Sequence, residues 1–284
     1  MEFLQLKYFI DAAKSENFSE TAKKFFVPPS AVSQSIRRLE TELGFKLFDR
    51  KANKVSLCAA GKIFYDAVTR AEDIILEARR KVEDGCGEIT GEIYIAVLCN
   101  RRIVSKAIEI FKKLYPKVSF KLVHGYKDAE KYDLIISDQI SEYTGYEKTH
   151  LVTETLAVAF PKEHPLSQKG NISAADIKDE QFIMMSENSN LSRITREYAA
   201  QNGFVPKITI ECEDPYYLRN YIEIGLGIGI VPMFSWKGRF SDNIICRELS
   251  GVTRTTYILR DPDRYITSAV KEFCSLLEKL CKEQ

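Results

Sequence analysis

Ser30, Ser33, Gln34, Arg37 and Thr41 fall on one side of a single helical stretch, with Arg38 beside them. Hydroxyls, an amide and guanidiniums on one face can hydrogen-bond base edges and phosphates if that helix enters a major groove. On the opposite side Val32, Ile36, Leu39 and Leu43 step by four, three and four, forming one apolar stripe for burial. Further along, Arg50, Lys51 and Lys54 gather around the turn Asp49-Arg50-Lys51-Ala52-Asn53. Cations on a hairpin beside such a helix are placed for phosphates or a minor groove. A plainer reading of the same residues is a three-helix core with a solvated, charged face.

The elements that would position this face follow from local patterns. Leu4, Tyr8, Phe9 and Ala12 predict a helix over about 4–15. Ser19 is the expected cap of a short second helix ending near Phe26, with Glu20 in its first turn. Val27-Pro28-Pro29-Ser30 must turn, because a residue before proline leaves the α region. Pro29 suits the first position of the third helix, which runs to Leu43 before Gly44 closes it. Phe45–Phe48 and Lys54–Leu57 read as the two strands of a wing. From Ala59 to Asp84 no proline interrupts, and Phe64, Val68, Ala71, Ile75, Ala78 and Val82 alternate by four and three. That seam suits pairing with a copy of itself, or packing on its own domain. Gly85-Cys86-Gly87 reads as a hinge.

Charge divides unevenly along the 284 residues. Residues 1–62 hold 11 Lys and Arg against 7 Asp and Glu, a net +4, while the rest hold 30 against 33, a net −3. A basic front on a mildly acidic body suggests a nucleic-acid module attached to something else. No apolar run approaches the roughly 20 residues of a membrane span, and Glu2 and Asp11 interrupt the N-terminus where a signal peptide would be apolar. A cytoplasmic protein is therefore expected. Seven cysteines form no CxxC pair, which argues against a disulfide framework or zinc site. His124, His150 and His164 stand in no triad or metal spacing, so an enzyme has little to work with.

Beyond residue 90 short apolar runs at 93–98, 118–123, 134–137, 156–160, 182–185, 207–211, 228–231 and 256–259 alternate with helical patterns, predicting parallel α/β structure. Gly225, Gly227 and Gly229 follow a helix and lead into a strand, the reverse of a dinucleotide-binding fingerprint.

Four linked stretches closely resemble the DNA-binding domain of LysR-type transcriptional regulators: Leu4–Phe9, Asn17–Ala22, Ala31–Glu40 and Leu43–Arg50, continuing through Val55–Gly61. The later alternation is similar to the effector domain of the same family. The resemblance implies a winged helix-turn-helix over 1–58 (motif about 18–37), a linker helix over 59–84 that pairs two copies, and an effector-binding domain over 88–284. Its two α/β subdomains, similar to periplasmic binding proteins, would comprise about 88–153 with 256–284, and 154–255. The chain would leave the first near Val152–Thr155 and return near Thr253–Thr256. The effector would lie where strand ends meet the cleft. There Cys99, Asn100 and Arg101 open a helix whose N–H groups can hold an anion, with Ser137 on the same wall. Ser186, Asn188 and Asn190 face them. Departures exist: Pro28-Pro29 replaces the usual Ser or Thr cap and Gln, Cys58 replaces a Thr before the linker helix, and only nine residues separate Val123 from Asp133.

Three readings compete: a ligand-responsive DNA-binding regulator, a solute receptor, and an enzyme. The basic helix-turn-helix favours the first. It implies duplex operator DNA, a second copy or a tetramer, a small-molecule effector and RNA polymerase as partners, with no membrane, metal or cofactor. Cys99, at the cleft, is a candidate redox thiol or a small buried residue.

Overall fold

The computed structural model describes residues 1–51, 54–85, 87–125 and 131–283. The side chains of Lys51 and Lys54, Cys86 of the expected hinge, and residues 126–130 of the short crossover lie outside that description. The chain divides into two compact units, Met1–Val82 and Glu83–Gln284.

The first unit holds α1 (Phe3–Ser15), α2 (Phe18–Lys24), α3 (Pro29–Leu43), the hairpin β1 (Phe48–Lys51) and β2 (Lys54–Leu57), and most of α4 (Ala59–Asp84). Aromatic packing centres it: the Phe9 ring lies 5.8 Å from Phe48 and 5.3 Å from Phe64. Asn17, not Ser19, caps α2, accepting hydrogen bonds from the Ser19 and Glu20 amides at 3.0 and 3.2 Å. An amide carbonyl one residue before the helix reaches both orphan donors, leaving Ser19 inside the helix. Phe26 then takes φ +56° with its side chain 96% exposed, closing the turn before α3. As the sequence implies, Pro28 supplies no side-chain cap, and Gly44 ends α3 at φ +78°.

Strand β1 begins three residues later than predicted. Leu47 and Phe48 are drawn into the core, and both their amides are taken by the Glu40 carboxylate at 2.8 and 3.2 Å. Cross-strand pairing starts only with Phe48 against Leu57. Cys58 acts as a weak sulfur cap for α4, accepting from the Gly61 amide at 3.4 Å. Gly61 sits so close to β1 that a Cβ would lie 2.1 Å from the Leu47 carbonyl oxygen.

In the second unit a six-stranded sheet is built from β3 (Gly91–Val97), β4 (Val118–Val123), β5 (Leu134–Ser137), β6 (Glu147–Pro161), β9 (Gly229–Pro232) and β10 (Ile244–Arg260), in the order β4-β3-β5-β10-β6-β9. β7 (Gln181–Met185) and β8 (Lys207–Cys212) pair parallel beside it. The helices are α5 (Arg101–Leu114), α6 (Ala174–Ile177), α7 (Asn190–Gln201), α8 (Pro215–Glu223) and α9 (Ser268–Lys282). The expected alternation is present but the sheet is mixed. β3, β4 and β5 run parallel, whereas β10 pairs antiparallel with β5 and β6.

The two runs read as short strands near 156–160 and 256–259 are one 15-residue and one 17-residue ribbon. They pair along their lengths, with a register shift between Glu248 and Thr253, and so serve both subdomains. Each subdomain keeps its own core, one around Ile93, Ile95, Phe111 and Phe273, the other around Phe160, Phe182, Ile222 and Ile230. The glycines before β9 serve close packing. A Cβ on Gly227 would come 2.6 Å from the Gln181 carbonyl oxygen, so only glycine lets the chain enter β9 against β7.

Candidate functional site

On α3 the sequence stripe is realised: Val32, Ile36 and Leu39 are 0% exposed, while Ser30, Gln34, Arg37 and Arg38 face solvent. Ser33 is half-buried because Arg50 reaches back to it, its Nη1 donating to the Ser33 hydroxyl at 3.4 Å. The same guanidinium lies 3.5 Å from the Glu40 carboxylate and 5.2 Å from the centre of the Phe18 ring. Arg50 and Ser33 therefore clamp the hairpin to α3, and Glu40 joins them through the Leu47 and Phe48 amides. The sequence offered Glu40 only as one more charge. Its role depends on the β1 backbone turning back toward α3.

The seam on α4 divides. Val68 is 7% exposed and belongs to the first unit's own core, where Phe64 packs against Phe9. Neither is free for a partner, which corrects the expectation of one continuous seam. The first turns of α4 lie across α1 and use these residues to cover it. Ala71, Ile75, Ala78 and Val82 remain exposed, joined by Ile74. Ile75 and Ala71 also border a shallow apolar groove with Phe3, Leu6 and Ile10 of α1.

Between the subdomains lies a cleft of about 650 Å³ lined by Cys99, Asn100, Arg101, Ser186, Asn188 and Asn190 together with residues the sequence did not single out. Ser137 is not among them. It is fully buried, and its hydroxyl accepts from the Gln139 backbone amide at 3.0 Å. Asn190 is spent on the fold: its Nδ2 donates to the Asp138 carbonyl at 3.1 Å and its Oδ1 accepts from Arg193. The Gln139 side-chain amide donates to the Asn188 carbonyl at 3.0 Å, so two hydrogen bonds cross from one wall to the other.

At the floor Arg254, on β10, stands opposite Glu154, on β6. They are 6% and 4% exposed, and Arg254 Nη2 lies 2.7 Å from Glu154, with its other terminal nitrogen 3.3 Å from Asp138. Glu154 also accepts from the Phe234 and Ser235 amides at 2.9 and 2.8 Å and from the Ser235 hydroxyl. Burial works against the charge on Arg254, but Glu154 and Asp138 more than offset it and hold its pKa above the usual value. Burial, aided by Asp138, pushes the Cys99 thiol up to about 12, so it stays protonated at neutral pH and is a poor nucleophile. Among the described residues no group of three or more His, Cys, Asp and Glu side chains is placed to hold a metal ion.

A winged helix-turn-helix with an open polar face, followed by two α/β subdomains around a cleft, defines a DNA-binding regulator with a ligand-binding domain. The helix-turn-helix of bacterial regulatory proteins of the lysR family matches residues 3–62, and the LysR substrate binding domain matches residues 87–282. The chain belongs to the LysR family of transcriptional regulators. It is 28% identical to the transcriptional dual regulator GltC of Bacillus subtilis over 289 residues, covering 96% of this chain and 95% of that one. It is 31% identical to the HTH-type transcriptional regulator ShiR of Corynebacterium glutamicum, covering 81% and 82%. In fold it is similar to full-length CbnR complexed with its target DNA (TM-score 0.70, 20% identity, 99% and 100% covered). It is also similar to a full-length OxyR variant from Pseudomonas aeruginosa (TM-score 0.69, 18% identity, 99% and 95% covered). No helix among the described residues is long and apolar enough to cross a membrane.

Proposed function

We propose that this regulator reads operator DNA with Gln34, Arg37 and Arg38 of α3, helped by Ser30 and the cationic wing. We further propose that a small-molecule effector in the cleft between the subdomains sets how it does so. The observation that carries this reading is the division of α3 into a side whose Val32, Ile36 and Leu39 are fully buried and an opposite side whose Ser30, Gln34, Arg37 and Arg38 are exposed. Exposed guanidiniums on such a face can exchange water for base edges, forking onto guanine O6 and N7. The wing cations would hold phosphates and fix register. The protein would act in the cytoplasm, where operator DNA and RNA polymerase are.

Fluorescence anisotropy on the chain's own upstream DNA tests this. Affinity is expected to fall steeply with salt, since each phosphate contact releases counterions. Arg37→Ala is expected to weaken specific binding by about 1–3 kcal/mol while leaving binding to random duplex nearly unchanged. Equal losses on both duplexes would remove Arg37 from the base readers.

Two copies would pair through the exposed part of α4, presenting two recognition helices to a roughly palindromic site. Ile75, 51% exposed, is the clearest apolar candidate for that contact. Ile75→Glu places a charge in the seam and is expected to shift the sedimenting species to monomer, with α-helical circular dichroism intact. An unchanged sedimentation profile would exclude this face.

A further inference from the structure

We propose that the ligand of the cleft is a small organic anion bearing two or more negative charges, gripped by Arg101, Arg219 and Arg239. This rests on the effector reading above and names the chemistry of its ligand.

The three arginines come from different elements: Arg101 opens α5, Arg219 sits on α8, and Arg239 lies in the loop between β9 and β10. All three line the same cleft. Among the described residues none of their guanidiniums has an ion-pair partner or a side-chain hydrogen bond. Arg254, in the same cleft, shows what a structural arginine looks like here, with two carboxylates of its own. Arg219 instead stands over the Trp236 ring, 5.0 Å from its centroid. Burial first, and then the nearby charges of Arg239 and Arg101, pull its pKa below the ordinary value, against opposing contributions from Asp214 and Glu223. Arg219 thus feels the positive charge of both other arginines, and among the described residues no carboxylate pairs directly with any of the three. The acids nearest them are otherwise engaged: Asp138 pairs with Arg254, and Asp214, which acts on Arg219 without an ion pair, caps α8 at the Tyr216 amide. Glu142 and Glu213, also in the lining, are exposed.

A second observation points to a built site. Asn100, the residue before Arg101, is 3% exposed and takes the left-handed conformation, φ +52°, that asparagine enters more readily than most side chains. Its Nδ2 donates to the Thr256 hydroxyl at 2.6 Å, and its Oδ1 has no partner. A buried amide oxygen left unpaired is costly unless a ligand hydroxyl or water completes it. A buried, orphaned acceptor beside guanidiniums without ion pairs is a feature of a site that its ligand completes. Guanidinium forks match carboxylate and phosphate oxygens two at a time, so both a polycarboxylate and a phosphate ester meet the requirement. A volume near 650 Å³ admits either.

The experiment is calorimetric titration of the full chain with citrate and with inorganic pyrophosphate at matched ionic strength, with glycerol and putrescine as neutral and cationic comparators. Saturable binding of at least one anion, weakened tenfold or more by Arg239→Gln and by Arg219→Ala, is expected. The preference between the two anions separates carboxylate from phosphate. Arg239 is exposed, so its variant should fold even if removing Arg219 from Trp236 disturbs α8. With no anion present, Arg239→Gln is expected to melt no lower than the parent, because a repulsion has been removed. Binding of neither anion, or binding that both variants leave unchanged, would overturn the proposal. Operator affinity, read in parallel, tests the effector reading separately: anion binding lost in the variants but without effect on the operator upholds the anion site and sinks only its regulatory role.

Discussion

Arg254→Met is expected to destabilise the second unit by about 3–5 kcal/mol, because it leaves two nearly buried carboxylates without their cation. Glu154 is almost wholly buried and Asp138 is close to it, so removing the guanidinium leaves two neighbouring negative charges where one cation had held both. Coulombic attraction in so dry a place is large, but so is the cost of bringing the ions there; the pair is worth little against apolar substitutes and a great deal against its own half. The double variant Arg254→Met with Glu154→Leu should therefore lose less than the sum of the two single changes. Urea unfolding measures both, as a shift in midpoint at constant slope. A single-variant loss below about 1 kcal/mol would show that water enters the floor of the cleft. Since Arg254 and Glu154 sit on the two ribbons that serve both subdomains, the variant should also blunt any effector response.

Gly61→Ala is expected to cost the DNA-binding unit about 2–3 kcal/mol or more. Helix propensity alone predicts the opposite sign, since alanine is favoured over glycine by about 1 kcal/mol inside a helix. The contact decides the matter. The new methyl would lie 2.1 Å from the Leu47 carbonyl oxygen and 2.9 Å from Leu57 Cδ1. The first of these is backbone, and that same oxygen already accepts the Cys58 amide at 3.0 Å. Either α4 or the wing must move to make room, which overpacked sites tolerate poorly. In a unit of this size each kcal/mol lowers the melting temperature by roughly 4–8 °C, so a drop above about 8 °C is expected, together with weakened operator binding. A variant as stable as the parent would mean that the wing docks on α4 more loosely than the structure has it.

The first sixty residues were legible because their elements are set by short-range rules. The proline pair forces a turn, the four-three-four stripe selects the buried side of α3, and Gly44 stops it. The exposed face of that helix, which we propose reads DNA, could therefore be picked out from residue types alone. Errors there were of one kind: Ser19 for Asn17 and an early β1, where a carboxylate or amide side chain competed for backbone donors.

The cleft was not legible in the same way. Arg254 and Glu154 are each a lone charge inside a strand-forming stretch, near the predicted crossing points, and that was the available signal. Their partnership needs β6 and β10 to pair in one register across a hundred residues of chain, and hydrophobic periodicity does not specify register between distant strands. Arg101, Arg219 and Arg239 likewise lie on three elements that only the folded subdomains bring to one cavity. By itself the sequence determined the DNA-binding module and the order of the elements, since these depend on neighbours within a few turns of chain. Only the tertiary structure decided which charges are spent on one another and which are left over. Pairing at close range in a dry interior depends on where distant segments come to rest.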